Sequence, residues 1–507
     1  MKVVVVGDVS WKGRYHLGDE AMTEAAITQL RERGAEVTLV AGEPGISSEF
    51  YGVKCVPIFG FVREPSRAAQ EDRLKSIVAA VRGERAAGAA DASIIEAVRS
   101  ADAVVIAGGG NLNSTGPHHI YERVALKRVA QVAGIPLFVS SQTVGPHLQP
   151  RDREMVQEIA WYARVFGARE RGTTALMREI CGEKRGRVVH TLDDALLLDP
   201  SENRVELRTA LNLPARYVLG SFTYHQGSTG IPPEEYFRRV AGILDSIVVA
   251  HNIDIVLLPH MGVLGVEKQE GERNDVYGHD RVVHYSQSGR IQSLKMISAR
   301  ELLAVTSEAE FTVSTRYHPV IFGPAVGVPA IGIVTSYYSA QRMRGALANF
   351  GMESFALPFE TWSSLFGPRL MDAMRDRLEE FVAHAREAGA SQRAYQRRWW
   401  DSIVANIEGS GEVLSEDIAD YEPLHWMNSA EADLLVVARA SQESINMYRM
   451  NNHAVVKSHS ERLADLAREL GDAQLEIEGL RKELADVKHR KRPPGAAIRD
   501  KIRSWKR

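Results

Sequence analysis

The chain has 507 residues, 44% hydrophobic and 25% charged, an ordinary globular composition with room for two or three domains. Its 62 lysines and arginines nearly balance 65 aspartates and glutamates, which excludes a global polyanion-binding bias, and no nucleic-acid partner is expected. The two cysteines, Cys55 and Cys181, have neither metal nor disulfide spacing.

The opening MKVVVVGDVS lacks a secretory pattern, because its apolar run is four valines long and breaks at Gly7. Val3 to Val6 instead predicts a buried strand, and 19–33 predicts a helix with Ala21, Ala25, Ile27 and Leu30 inward. Val37–Val40, Val104–Ala107, Leu137–Ser140 and Val165–Phe166 continue the strand series, separated by helical stretches such as 121–133 and 151–162. This alternation predicts βα units on a parallel sheet. A second series follows Asp199–Pro200: strands at Tyr217–Ser221, Ile253–Leu258, Phe311–Val313 and Ala330–Val334, helices at 234–250 and about 290–307. Beyond residue 340 the strand signal fades into two helices, 371–388 and 392–407, the latter carrying Trp399 and Trp400, and such a pair could cross back over the first domain.

Leu463, Leu466, Leu470, Ala473, Ile477, Leu480, Leu484 and Val487 alternate at spacings of three and four, an a/d heptad pattern that predicts a self-associating coiled coil over an amphipathic helix packed on the body. Residues 488–507 carry nine lysines and arginines against one acidic residue. Ile498, Ile502 and Trp505 fall near one face among them, which suits an anchor on anionic lipid and equally a solvated basic tail. No run approaches the roughly 18 apolar residues of a membrane span. The expected location is cytoplasmic, with peripheral docking on the inner face of the membrane left open. The expected fold class is α/β: two Rossmann-like domains, 1–195 and 196–350, then a helical extension, 351–455, a coiled coil, 456–490, and a basic tail, 491–507.

Candidate functional residues cluster past strand ends, where open α/β sheets bind ligands. In STRYHPVIFGPAVGVPAIGI, Arg316 offers a fork of donors suited to carboxylate or phosphate, and His318 can move a proton near neutral pH. In RYHLGDEAM, Gly18 permits close backbone approach and Asp19 can cap a helix. Gly108, Gly109 and Gly110, followed by Asn111, could form an anion-binding nest or a plain turn, and match neither a dinucleotide fingerprint nor a Walker loop. Gln142 falls at a sheet edge in FVSSQTVGP, Arg169 in FGARERGT is a second cation or a surface ion pair, and His260 follows a strand in LLPHMG. His279, His284, Asp275 and Asp280 match no metal spacing, so a metal-free loop is expected there.

In this order, GDEA, AGGGNL, SQTVGP, RERGT, TLDDALLL, LLPH and RYHPVIFGPAVGVPAI resemble the polysaccharide pyruvyl transferase family over roughly residues 5–350. The resemblance implies a glycosyltransferase-B-like fold. It also implies transfer of the enolpyruvyl carbons of phosphoenolpyruvate to sugar hydroxyls of a cell-surface glycan or its precursor, lipid-linked or not, usually as a ketal. Arg316 and His318 match the family's Arg-x-His and would bind phosphoenolpyruvate and transfer a proton, with His318 as the acid. Arg169 would be a second anion clamp, and Asp19, Gly109 and His260 match motif positions without a clear role. The scheme needs no metal or cofactor besides phosphoenolpyruvate as donor. One departure stands out: Gln341 occupies the place of the family lysine, and Arg342 and Arg344 are the candidates to substitute for it. Two rivals remain, a nucleotide-sugar glycosyltransferase of the same architecture and a non-catalytic scaffold of a glycan-assembly complex.

Overall fold

Val3–Val6 show how the first layer forms. Val4 and Val6 pack into one core with Ile94, Val124 and Phe166, while Val3 and Val5 pack into another with Leu30, Trp399 and Trp400. Side chains alternate across a strand, so a run of four valines serves both faces of a sheet covered on both sides. The computed structural model describes residues 1–10, 13–224, 230–266 and 274–490.

The first half supplies β1 (Lys2–Val6), β2 (Tyr15–His16), β3 (Glu36–Ala41), β4 (Lys54–Pro57), β5 (Ala103–Ile106), β6 (Gly109–Leu112), β7 (Leu137–Val144), β8 (Val165–Ala168) and β9 (Val188–His190). All but β2 join one parallel sheet in the order β4-β3-β1-β5-β7-β8-β9, with β6 also pairing β7. The second half supplies β10 (Tyr217–Ser221), β11 (Asp254–Leu257), β12 (Met261–Gly262), β13 (Ile291–Ser293), β14 (Thr312–Ser314), β15 (Ala330–Val334) and β16 (Ala356–Pro358). Its parallel sheet runs β13-β11-β10-β14-β15-β16. The strand order reverses direction between β1 and β5 in the first sheet and between β10 and β14 in the second, which opens a crevice beyond the carboxyl ends of those strands.

Two devices join the halves. Strands β2 and β12 pair antiparallel, Met261 with His16 and Gly262 with Tyr15, and Leu17 N–H donates to the His260 carbonyl at 2.9 Å. The helix Gly367–Ile407 begins in the second core, through Leu370, Met374 and Phe381, and ends in the first, through Trp399, Trp400 and Ile403. Trp399 Nε1 donates to Ser140 Oγ at 3.0 Å and Trp400 Nε1 to Asp194 Oδ1 at 2.8 Å, so neither buried indole leaves its donor unpaired.

Several elements differ from expectation. The stretch 290–307 is not one helix: Ile291–Ser293 forms β13 beside β11, and the helix is Ala299–Thr306. A capping box decides that start, with Ser298 Oγ accepting from Glu301 N–H while Glu301 reaches back to Ser298 N–H. The expected loop around Asp275 and His279 is the helix Asp275–Tyr285. The two helices 371–388 and 392–407 are one element, kinked at Arg377. Strand β16 carries the second sheet past residue 350, because Gly332, Ile333 and Val334 pair with Ala356, Leu357 and Pro358.

The helix Ser429–Arg490 starts well before the expected coiled coil. Its first part belongs to the main unit, Met1–Met450, where buried Arg439 donates to the Ala356 carbonyl at 2.7 Å. The second unit, Asn451–Arg507, continues the helix to Arg490 and exposes Leu463, Leu466, Leu470, Ile477 and Leu480. The side chains of Leu484 and Val487, and the segment 491–507 with Ile498, Ile502 and Trp505, lie outside the described residues. Among the described residues no helix is long and apolar enough to cross a membrane.

Candidate active site

The chain leaves β14 at Ser314 and turns into the short helix Pro319–Ala325, whose N-cap residue is His318. Pro319 at the first helical position needs no N–H partner and fixes the turn. The His318 ring enters a slot whose floor is Gly18: a Cβ on that glycine would stand 1.8 Å from His318 Cε1 and 1.9 Å from Nδ1. Gly18 therefore serves space, since only hydrogen fits between the two halves there. His318 Nε2 is buried without a hydrogen-bond partner and lies 3.8 Å from Asp193 Oδ2. Burial, with the Arg169 and Arg342 guanidiniums beside it, holds His318 well below the ordinary histidine range, so the ring is neutral near pH 7.

Arg169 follows β8 and is fully buried. Its Nη1 donates to Asp193 Oδ2 at 2.6 Å and its Nε to Thr143 Oγ1 at 2.7 Å and Glu170 Oε1 at 3.0 Å, while Nη2 has no hydrogen-bond partner. The surface-ion-pair reading of Arg169 thus fails on burial: the ion pair with Glu170 exists, but inside the protein. Burial without the opposing carboxylates would be prohibitive, and Asp193, whose pKa burial raises against the pull of Arg169, supplies one of them. Arg342 comes from the other half, on the helix Tyr337–Ala348. The two guanidinium carbons lie over the Tyr317 ring, each 4.4 Å from its centroid, and Arg342 also stacks on Tyr338 at 4.7 Å. Among the described residues no carboxylate pairs with Arg342, and its Nε has no hydrogen-bond partner.

The donors converge on Gly110. A Cβ there would stand 3.0 Å from Tyr338 Oη, 3.1 Å from Arg342 Nη2 and 3.3 Å from Arg169 Nη2. Any side chain at 110 would press on all three. Of the two readings of these glycines, the nest does not form: Gly108, Gly109 and Gly110 are absent from the residues with positive φ, and Gly109–Leu112 is strand β6. A nest needs alternating αR and αL backbone. These glycines give room instead, Gly108 to Met22 and Gly110 to the two arginines. Gln142 Nε2 donates to the Ala107 carbonyl at 2.5 Å and leaves its buried Oε1 unpaired beside Gly109.

Arg316 has a different neighbour from the one its motif suggested. Its Nε donates to Asp275 Oδ2 at 3.0 Å and its Nη2 to Asp275 Oδ1, so the fork is engaged by a buried carboxylate. Asp275 also accepts from His260 N–H at 2.9 Å. His260 Nδ1 lies 2.8 Å from Ser221 Oγ, and burial, against the opposing charge of Asp275, lowers its pKa to about 3. His279 Nε2 accepts from Phe222 N–H at 3.0 Å, and burial lowers its pKa to about 4. Asp19 accepts from His16 Nδ1 at 2.7 Å, and Asn111 Nδ2 donates to Asp8 Oδ2 at 2.9 Å. Among the described residues no three of His, Cys, Asp and Glu are grouped to hold a metal. Sequence reasoning did not single out Tyr317, Tyr338 or Asp193, and weighed Arg342 only as a substitute for the missing lysine. Asp193 was visible as a carboxylate pair within TLDDALLL, but nothing local pairs it with Arg169.

The profile of the family described as polysaccharide pyruvyl transferase matches residues 16–337, well over half of the chain and all of these site residues but Asp8, Tyr338 and Arg342. The chain belongs to this family of enzymes. Among curated proteins none matches the chain. Among solved structures, a UDP-GlcNAc 2-epimerase from Neisseria meningitidis bound to UDP-GlcNAc aligns with a TM-score of 0.50 at 11% identity, covering 81% of this chain and 100% of that one. A glycosyltransferase from Rickettsia africae aligns at 0.49 and 10% identity, over 80% of this chain and 98% of that one. At such identities the likeness to the epimerase speaks to the fold alone, a glycosyltransferase-B-like pair of parallel sheets. As a polysaccharide pyruvyl transferase the protein acts on a polysaccharide, and the resemblance first read from its motifs holds.

Proposed function

We propose that this polysaccharide pyruvyl transferase takes phosphoenolpyruvate as donor and forms a pyruvyl ketal on a cell-surface glycan or its lipid-linked precursor. The observation that carries the reading is the convergence of Arg169 Nη2, Arg342 Nη2 and Tyr338 Oη at Gly110, beside the neutral ring of His318. Phosphoenolpyruvate carries a carboxylate and a phosphate a few ångströms apart, and two guanidiniums from opposite halves suit that pair. Among the described residues no carboxylate pairs with Arg342, whose Nη2 reaches Gly110 beside Arg169, so it takes the role expected of the family lysine, while Gln341 does not. Arg344 is spent on Glu353 and Glu443. Arg316 supports the site from behind by holding Asp275 and, through it, the His260 backbone.

The chemistry follows from His318. Two adjacent cations and burial keep it deprotonated. A bound trianion offsets the cations and raises the affinity of Nε2 for a proton, so the acid forms when the donor is seated. Protonation of C3 then makes C2 electrophilic, a sugar hydroxyl attacks C2, and a second hydroxyl displaces phosphate. Such acid–base assistance contributes roughly 10²–10⁴-fold. The reaction calls on phosphoenolpyruvate as a substrate and on no other cofactor. We also assign the exposed leucines of residues 451–490 to self-association, and the basic end to an anionic membrane surface on the cytoplasmic side.

Carbon-labelled phosphoenolpyruvate tests the donor. Label should enter the glycan with release of phosphate, and His318→Ala should lower the rate at least a hundredfold without loss of fold. Consumption of a nucleotide sugar with no label incorporated would transfer the assignment to a glycosyltransferase.

A further inference from the structure

The donor pocket uses one side of the crevice. A second group of polar side chains lies beside it at the strand-order reversal of the first sheet, and the donor chemistry does not employ it. Asp8 follows β1, and Asn111 lies on β6, one residue from Gly110. Asn111 Nδ2 donates to Asp8 Oδ2 at 2.9 Å, and His119 Nδ1 lies 3.5 Å from the same oxygen. His16, on the ribbon that joins the two halves, donates from Nδ1 to Asp19 Oδ2 at 2.7 Å, and its side chain is 46% exposed. Gly18, two residues on, touches His318. The two groups therefore adjoin at both ends, through Asn111–Gly110 and through His16–Gly18.

We infer that Asp8, Asn111 and His119 form the acceptor subsite, which takes a neutral sugar diol, and that the His16–Asp19 pair is the base that receives the attacking hydroxyl's proton. This rests on the pyruvyl-transfer reading and adds the half of the chemistry that His318 cannot supply. Asp8 and Asn111 offer carboxylate and amide groups to hydroxyls, and the ionised Asp8 disfavours an anionic sugar, while the buried Arg123 beside them rests Nη1 on the His119 carbonyl at 3.2 Å. His16 holds its proton on Nδ1 through Asp19, which leaves Nε2 with a free lone pair on a side chain that is 46% exposed. Asp19 is a positioning residue: it sets the tautomer and stabilises the imidazolium that forms.

The proton count closes. Attack forms the bond from the first hydroxyl oxygen to C2, and its proton passes to His16 Nε2. His318 gives its proton to C3, so the enolpyruvyl CH2 becomes CH3. The second hydroxyl forms its bond to C2 as the C2–O bond to phosphate breaks. His16 returns its proton to the departing phosphate, and the second hydroxyl's proton restores His318. Two hydroxyl protons are lost and two are gained, one by C3 and one by phosphate.

The environment of His16 suits the task. Partial loss of solvent in the crevice lowers its basicity, but the hydrogen bond and charge of Asp19 outweigh that and raise its pKa above the ordinary histidine value, with Arg316 opposing and Asp8 assisting. Asp8 is held ionised: burial would raise its pKa, and His119, Arg123, His16 and His118 together lower it. His119 itself is kept neutral by burial, against Asp8.

The test uses the full chain, labelled phosphoenolpyruvate and methyl glycosides of glucose, galactose and mannose as diol probes. His16→Ala should leave the phosphoenolpyruvate Kd within about twofold, lower kcat roughly a hundredfold, abolish the acidic limb of the kcat profile, and recover in part with added imidazole. Asp8→Asn should raise KM for the glycoside about tenfold or more with kcat little changed. If no glycoside is pyruvylated, saturation-transfer NMR on the wild-type protein should still show glycoside binding that Asp8→Asn weakens about tenfold or more, and no such binding, or binding unchanged in Asp8→Asn, overturns the subsite. Equal loss of phosphoenolpyruvate affinity and turnover in His16→Ala overturns the base assignment, as does an unchanged pH profile. Failure of the wild-type protein to bind phosphoenolpyruvate refutes the pyruvyl-transfer reading itself, whereas normal binding and normal transfer by His16→Ala refutes this inference alone.

Discussion

Arg342→Gln offers the sharpest separation between the tertiary structure and the family pattern. The side chain spans Tyr317 and Tyr338 and ends 3.1 Å from the position a Cβ would take on Gly110. It has no carboxylate partner among the described residues, so its charge is available to a ligand. A charge-assisted hydrogen bond contributes roughly 1.5–3 kcal/mol, so the phosphoenolpyruvate Kd should rise about ten- to a hundredfold. The fold should barely change. Two cation–π contacts of about 1 kcal/mol are lost, and so is the repulsion between two guanidiniums across one ring, which leaves Tm within about 2 °C. Gln341→Ala is the control. Gln341 Oε1 lies 3.3 Å from where a Cβ on Gly172 would be, against the first half of the chain, and phosphoenolpyruvate binding should be unchanged within twofold or so. Calorimetric titration of both variants decides. A Kd unaffected by Arg342→Gln but raised by Gln341→Ala would refute the assignment and return the role to the family's position.

Gly18→Ala should disable transfer without unfolding the chain: a methyl 1.8 Å from His318 Cε1 must move the ring, and kcat should fall by about a hundredfold while circular dichroism is preserved. Wild-type turnover in that variant would show that the position of His318 is immaterial. His279 tests the pH linkage. Its folded pKa, about 4, lies below the ordinary 6.5, so between those values the unfolded chain binds a proton that the folded chain refuses. The stability it contributes is complete above pH 6.5 and is lost as pH falls toward 4, an amount of about 3 kcal/mol. The stability gap between wild type and His279→Gln in urea unfolding should narrow by that order from pH 7 to pH 4, and parallel curves would contradict it. Deletion from Lys457 onward should reduce the oligomer seen by light scattering and leave transfer to a soluble acceptor unchanged. An oligomer that survives the deletion excludes the heptad seam.

Local pattern determined the two parallel sheets, because a strand buried on both faces needs a short apolar run, and Val3–Val6, Tyr217–Ser221 and Ala330–Val334 announce themselves by composition. The ordered motifs determined the family, and His318 and Arg169 fall in the crevice where a strand-end rule puts them. Strands β13 and β16 escaped notice, since three-residue edge strands carry too little periodicity and exist only because a neighbour offers its hydrogen-bonding edge. The same reason hid the site's partners. Asp275 meets Arg316 across 41 residues, and Arg342 stacks on the ring that Arg169 also covers from the other half of the chain. Residue type alone shows which side chains can hold an anion. Which arginine already has a carboxylate, and which is left to bind a ligand, is decided by long-range electrostatics that only the folded chain contains.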